Sequence, residues 1–190
     1  MHNIRRKEFT NATLDELIRY VDDRAYKIFI PPQVCTTHTA VPATFGATNS
    51  AQHWIMADAV TSGVVCTIRK PDTWLSGTIR TILFYSGSAA GNAFRINARI
   101  QIARVGDLLT APTYATNFNA NIGGPTAINT IMEVDNQQGA PIGQADDLIM
   151  LALNRIGADA NDTNAGDMYF LGRLLVYTEG AREIGLKTVG

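Results

Sequence analysis

Phe94-Arg95-Ile96-Asn97-Ala98-Arg99-Ile100-Gln101-Ile102-Ala103 alternates without a break. Phe94, Ile96, Ala98, Ile100 and Ile102 fall on one side of an extended chain; Arg95, Asn97, Arg99 and Gln101 fall on the other. Period-two spacing of this kind describes a strand with one buried and one solvated face, as a two-layer antiparallel sandwich uses. Outward from this strand, short apolar runs recur between clusters of Gly, Pro, Asn and Asp. They are Lys27–Ile30, Gln52–Ala57, Val64–Arg69, Thr78–Tyr85, Phe94–Ala103, Ile128–Val134, Leu148–Asn154 and Met168–Tyr177. Eight strands with no helical spacers predict an all-β, antiparallel jelly-roll sandwich and disfavour a parallel βαβ sheet.

Two of the runs, Thr78–Tyr85 and Met168–Tyr177, are apolar on both faces. A strand of that kind is central in the fold, or its outer face is covered again by a second contact. The second alternative points to oligomerisation. Turn chemistry separates the runs. Lys70-Pro71-Asp72 breaks a strand, and Ser86–Asn92 reads as a Gly/Ser/Ala hairpin loop. Gly123-Gly124-Pro125 and Ala140-Pro141-Ile142-Gly143 interrupt the chain again.

Before Tyr26 the texture differs. Thr13-Leu14-Asp15-Glu16 forms a capping box, and Leu14, Leu17, Ile18 and Val21 follow at helical spacing. This predicts an amphipathic helix over 13–24, too short to stand without something to bury its stripe: its own domain or a partner. The expected organisation is an N-terminal anchoring arm over 1–26, a sandwich over 27–178 and a tail over 179–190.

The 190 residues suffice for one such domain and an appendage. Hydrophobic residues, 46% of the chain, supply a core; charged residues reach only 17%, which leaves the surface to Thr, Asn, Ser, Gln, Gly and Ala. A surface of that kind suits a protein that packs against neighbours. A net charge of −1 provides no global field for nucleic acid or an anionic membrane. Arg5-Arg6-Lys7 is too small a cluster for a nucleic-acid site. No apolar run reaches the ~18 residues needed to cross a bilayer, and the N-terminus lacks the pattern of a signal peptide. Synthesis and assembly in the cytoplasm are expected. Cys35 and Cys66 show no CxxC spacing and no neighbouring His pair, so they read as buried free thiols; a disulfide requires their strands to be neighbours.

A longer pattern runs through the chain. It comprises Trp54-Ile55-Met56, the run from Val64 to Pro71-Asp72-Thr73-Trp74, and Gly77-Thr78-Ile79 leading to Tyr85. It continues with Leu148 to Arg155, the loop Asp159 to Gly166-Asp167, and Leu171-Gly172 leading to Tyr177. Over residues 28–178 this resembles the jelly-roll domain of tailed-bacteriophage virion proteins: head-decoration proteins, head fibres and tail-fibre tips. The resemblance implies a non-enzymatic homotrimer on the virion, assembled in the host cytoplasm and held to capsid or tail proteins by its N-terminal arm. The alternative it implies is a tail-fibre tip that binds a host glycan or receptor.

The anchor would be made by Arg5, Arg6, Lys7, Leu14, Leu17, Ile18 and Val21. Trp74 and Tyr85, with the loops Ser86–Asn92 and Asn117–Gly124, would form a glycan- or receptor-binding surface, although a plug at one end of the sandwich is the favoured reading of Trp74, since large aromatics dominate core burial. Asp159, Asn161, Asp162 and Asp167 make the one oxygen-rich loop that calcium would suit. That loop lacks the spacing and final Glu of an EF-hand, and Asp and Asn also start turns. His2, His38 and His53 are scattered, and Tyr85-Ser86-Gly87-Ser88 lacks the first Gly of a nucleophile elbow. No catalytic constellation and no cofactor are expected.

Overall fold

The computed structural model describes residues 25–48, 50–71, 79–104, 106–107, 114–137 and 147–178. Along them run β1 (Ala25–Ile30), a 3-10 turn (Pro32–Val34), β2 (Cys35–Thr37), β3 (Val41–Pro42), β4 (Thr44–Thr48), β5 (Ala51–Met56) and β6 (Thr61–Arg69). They are followed by β7 (Arg80–Gly87), β8 (Ala93–Ala103), β9 (Tyr114–Gly123), β10 (Met132–Gln137), β11 (Leu148–Ile156) and β12 (Met168–Thr178). One sheet has the order β10-β7-β12-β5-β4, with β1 also paired to β12; the other has the order β2-β6-β11-β8-β9, with β3 also paired to β6. They are called here the β12 sheet and the β8 sheet. From β5 to β12 the chain crosses between layers at every step except β8 to β9, which makes the sandwich a jelly roll. The short β3–β6 pair is parallel and departs from the otherwise antiparallel pattern.

The alternation that opens the sequence reading is the basis of the core. Phe94, Ile96, Ala98, Ile100 and Ile102 are all buried and meet Met56, Leu83, Phe170 and Leu175 from the other layer within one cluster. Each such side chain contributes about 1.5–3 kcal/mol on burial. The two-faced strands, β7 and β12, are neighbours in the middle of the β12 sheet, in register from Met168↔Gly87 to Val176↔Arg80.

Three expectations are corrected. The polar stretch Asn117–Gly124 is not a loop, because residues up to Gly123 belong to β9, which pairs with the whole of β8. Phe118, Ala120 and Ile122 turn inward there while asparagines take the outer positions, so the strand was hidden by a residue type rare in sheets. Secondly, Ser86–Asn92 is not a hairpin loop, since β7 and β8 lie in different sheets and the segment crosses between them. Thirdly, Cys35 and Cys66 are not free thiols. They face each other across β2 and β6, with Cα atoms 4.1 Å apart, and their sulfurs are bonded.

One irregularity shapes the β12 sheet. At Phe170/Gly172 the register of β12 against β7 slips, leaving Leu171 as the extra residue. Below this bulge β12 pairs with β1 from Arg173 to Thr178; above it, from Met168 to Phe170, it pairs with β5. The sheet thus splits at the bulge, β5 departing towards β4. Gly172 has φ +134°, and a Cβ there would stand 2.7 Å from the Phe29 ring and 2.9 Å from the Ile30 carbonyl oxygen. Only glycine suits that backbone and that contact.

Candidate functional site

The oxygen-rich loop is organised around a side chain that the sequence reading passed over. Arg155, near the end of β11, is 0% exposed and lies at the end of the sandwich with its guanidinium 4.9 Å from the Phe94 ring centroid. Its Nε and Nη2 donate to the two carboxylate oxygens of Asp162, at 2.9 and 2.8 Å. Nη2 also donates to Asp58 Oδ1 at 3.1 Å and to the Asn164 carbonyl at 2.6 Å; Nη1 donates to the carbonyls of Met56 and Gly166. A bidentate carboxylate plus backbone carbonyls is the arrangement that makes a buried guanidinium tolerable.

The other residues of the loop have similar work. Asp159 Oδ1 accepts from the backbone and the side-chain amide of Asn161, both at 2.8 Å, and these bonds hold Asp159 below the usual carboxylate range. Asp167 Oδ1 accepts from the Asp58 N–H at 3.2 Å. Asn164 donates to the Gly91 carbonyl at 2.6 Å and accepts from the Gly166 N–H at 2.9 Å, which ties the loop to the β7–β8 crossover. Asp159, Asn161, Asp162 and Asp167 therefore act as turn-formers and as the counter-charge of Arg155. Among the described residues no group of three or more His, Cys, Asp or Glu is placed to hold a metal ion.

The outer faces of the two sheets carry different chemistry. On the β8 sheet, Arg95 Nη1 donates to Asn121 Oδ1 at 3.1 Å, Asn97 Nδ2 to Asn119 Oδ1 at 2.6 Å and Arg99 Nε to Asn117 Oδ1 at 2.7 Å. Asn154 extends the Asn119–Asn97 row onto β11, beside Gly63, where a Cβ would stand 2.1 Å from Asn154 Oδ1. This is a polar ladder across three strands.

On the β12 sheet, register places Phe29, Leu174, Ile82 and Asp135 in one row from β1 to β10. Lys27, Val176 and Arg80 form the row on one side; Gly172, Phe84 and Glu133 form the row on the other. Their neighbours in sequence, Ile28, Leu83 and Leu175, pack in the core, so these residues face outward. Phe29 is 53% exposed, and its ring lies 6.1 Å from that of Phe84. Arg80 Nε donates to Asp135 Oδ2 at 2.6 Å across the face. The apolar centre is flanked by Lys27 and the paired Arg80 and Asp135 on one side and by Glu133 on the other.

Of the residues singled out in sequence, Tyr85 is moved off the surface. It is 2% exposed, shares the inward parity of Leu83 and donates its hydroxyl to the Gly123 carbonyl at 2.7 Å. Burial raises its phenol pKa. Trp54 packs against the core, its Nε1 donating to the Pro32 carbonyl at 2.8 Å. His38 donates its backbone N–H to Gly63 on the β8 sheet, and His53 lies on the outer side of the β12 sheet, so the two are held apart. Trp74, the helix expected over 13–24 and the anchor residues Arg5, Arg6, Lys7, Leu14, Leu17, Ile18 and Val21 lie outside the described residues, as does His2.

No family model matches the chain, and no curated protein matches it. Among solved structures it is similar to the CBM36-1 domain of a multidomain xylanase from the hindgut metagenome of Trinervitermes trinervoides. There the identity is 12% and the TM-score 0.45, over 82% of this chain and 99% of that one. It is also similar to infectious bursal disease virus, Gx strain, with 13% identity and a TM-score of 0.48 over 84% of this chain and 33% of that one. A third likeness is to tailspike protein 4 of bacteriophage CBA120, with 8% identity and a TM-score of 0.41 over 75% of this chain and 18% of that one. At these values the likenesses carry no argument about function.

Proposed function

We propose that this protein is a non-catalytic structural component of a bacteriophage virion surface, whose jelly roll self-associates through the outer face of the β12 sheet. The observation that carries the reading is that face: the row Phe29–Leu174–Ile82, apolar and outward on the two central strands and their neighbour. The occupant is another copy of the chain: Lys27 stands at the β1 edge of the face and Glu133 at the β10 edge, so in a head-to-tail ring the basic edge of one copy meets the acidic edge of the next. The driving force is burial of apolar area, about 25 cal/mol per Å², with no chemical step. A disulfide between β2 and β6 suits an exposed life on a particle, since such bonds persist on virion and cell surfaces. The family pattern over residues 28–178 supplies the virion setting and the expectation of a trimer, with the N-terminal segment as the attachment to capsid or tail.

The mass of the purified protein in solution tests self-association. A homo-oligomer, with a trimer expected, that falls to monomers on Leu174→Asp while its circular dichroism is unchanged supports the proposal. A wild-type monomer at tens of micromolar ends it. Removal of residues 1–24, which leaves β1 whole, is expected to give a folded oligomer that no longer joins the particle; normal incorporation would refute the attachment.

A further inference from the structure

A pocket of about 190 Å³ opens on the outer side of the β12 sheet, where β5 parts from β12 at the Leu171 bulge. Tyr169 and Leu171 of β12, His53 of β5 and Ser86 of β7 form its walls, with Asn129 and Ile131 of the segment leading to β10. Ser86 is 3% exposed, and its Oγ has no hydrogen-bond partner. A buried hydroxyl left in that state bears a desolvation cost that nothing offsets, which a ligand supplying the missing partner would recover. The His53 and Tyr169 rings lie 4.6 Å apart, tilted by 37°, and give the pocket an aromatic wall. His53 is not a base for Ser86: Nδ1 lies 2.9 Å from the Ala51 carbonyl oxygen, and Nε2 points to Gly46, 3.8 Å from where a Cβ would stand. Asn129 is fixed at the mouth by its N–H to the Gly87 carbonyl at 3.1 Å and holds a left-handed backbone, φ 63°.

We infer that this pocket binds a single neutral sugar residue. No Asp, Glu, Lys or Arg lines it, so it selects against charged ligands. Its volume falls below the range of drug-sized sites and suits one ring. An aromatic and aliphatic wall facing a free hydroxyl and an amide matches a molecule with a C–H face and hydroxyl edges. Along β12 the pocket lies on the β5 side of the bulge and the apolar rows on the β1 side.

Saturation-transfer NMR on the full-length protein with glucose, galactose, mannose and N-acetylglucosamine, each at millimolar concentration, is the test. At least one sugar is expected to give signals that weaken about tenfold or more in Ser86→Ala, whose melting temperature is expected to be no lower than that of the wild type. Tyr169→Leu is expected to abolish the same signals. The inference is overturned if none of the four sugars gives a signal, or if Ser86→Ala binds as the wild type does. It is also overturned if Ser86→Phe changes the solution mass while the sugars stay silent, which would assign the pocket to a side chain of a neighbouring copy.

Discussion

The two sheets differ on both of their faces. Outside, the β8 sheet presents amides and guanidinium groups that satisfy one another, whereas the β12 sheet presents Phe29, Ile82, Phe84 and Leu174. Inside, each sheet buries one arginine, and these are not alike either. Arg155 of the β8 sheet reaches a carboxylate pair and three carbonyls. Arg173 of the β12 sheet is 2% exposed, stands between Ile30 and Leu83, and has an Nε with no hydrogen-bond partner. Its burial lowers its pKa to about 10. Each sheet leaves some buried polar atoms without a hydrogen-bond partner, Ser62 Oγ and Asn154 Oδ1 in the β8 sheet and Ser86 Oγ and Arg173 Nε in the β12 sheet, so the contrast lies in the outer faces and in the two arginines.

The largest effect should come from the clamp. Arg155→Met leaves Asp162 buried without its counter-charge and is expected to cost about 3–5 kcal/mol, measured by urea unfolding. A loss below about 1 kcal/mol would mean that the loop is held by its backbone bonds alone. Gly172→Ala comes next, with about 1–3 kcal/mol lost to the positive φ and to the contact with Phe29. If the proposed oligomer also stays intact in this variant, the bulge matters for folding rather than assembly. The smallest change should come from Arg173→Met, and in the opposite direction: a gain of about 1 kcal/mol. Below pH 10 the buried group is charged and the native state bears the desolvation cost. Above that pH the native state releases the proton while the unfolded chain keeps it, so wild-type stability rises. The advantage of Arg173→Met is thus expected at neutral pH and should shrink above pH 10. An equal loss of stability at both pH values would contradict the contrast between the two arginines.

Strand alternation made most of this architecture readable. Phe94–Ala103 is read residue for residue as the inner and outer positions of β8, and the two-faced runs are the centre of a sheet. What escaped was information that alternation does not contain. Asparagines at three successive outer positions, 117, 119 and 121, disguise β9, though Phe118, Ala120 and Ile122 keep the same period as β8. Whether a loop closes a hairpin or crosses layers depends on the strand that follows, so Ser86–Asn92 was misread. The pairing of Cys35 with Cys66 needed a register that spacing does not supply. Tyr85 could have been placed, since it shares parity with Ile79 and Leu83, both buried. The Arg155 clamp left a faint trace: an arginine at the end of an apolar strand, followed seven residues later by Asp162. The pocket left none, because its walls come from strands as distant in the chain as β5 and β12.

Ala25 is the register partner of Thr178, so residues 1–24 and 179–190 join the sandwich at a common pole. Tyr169 lies nine residues back along β12, about 30 Å away at the ordinary rise of a strand. In the proposed virion role, a domain tethered from that pole would turn its opposite pole, with the Arg155 clamp and the Tyr169 pocket, away from the attachment. Sequence added to either end would crowd the tether and leave the far tip clear, so a bulky tag there should obstruct docking to the particle well before it obstructs a ligand.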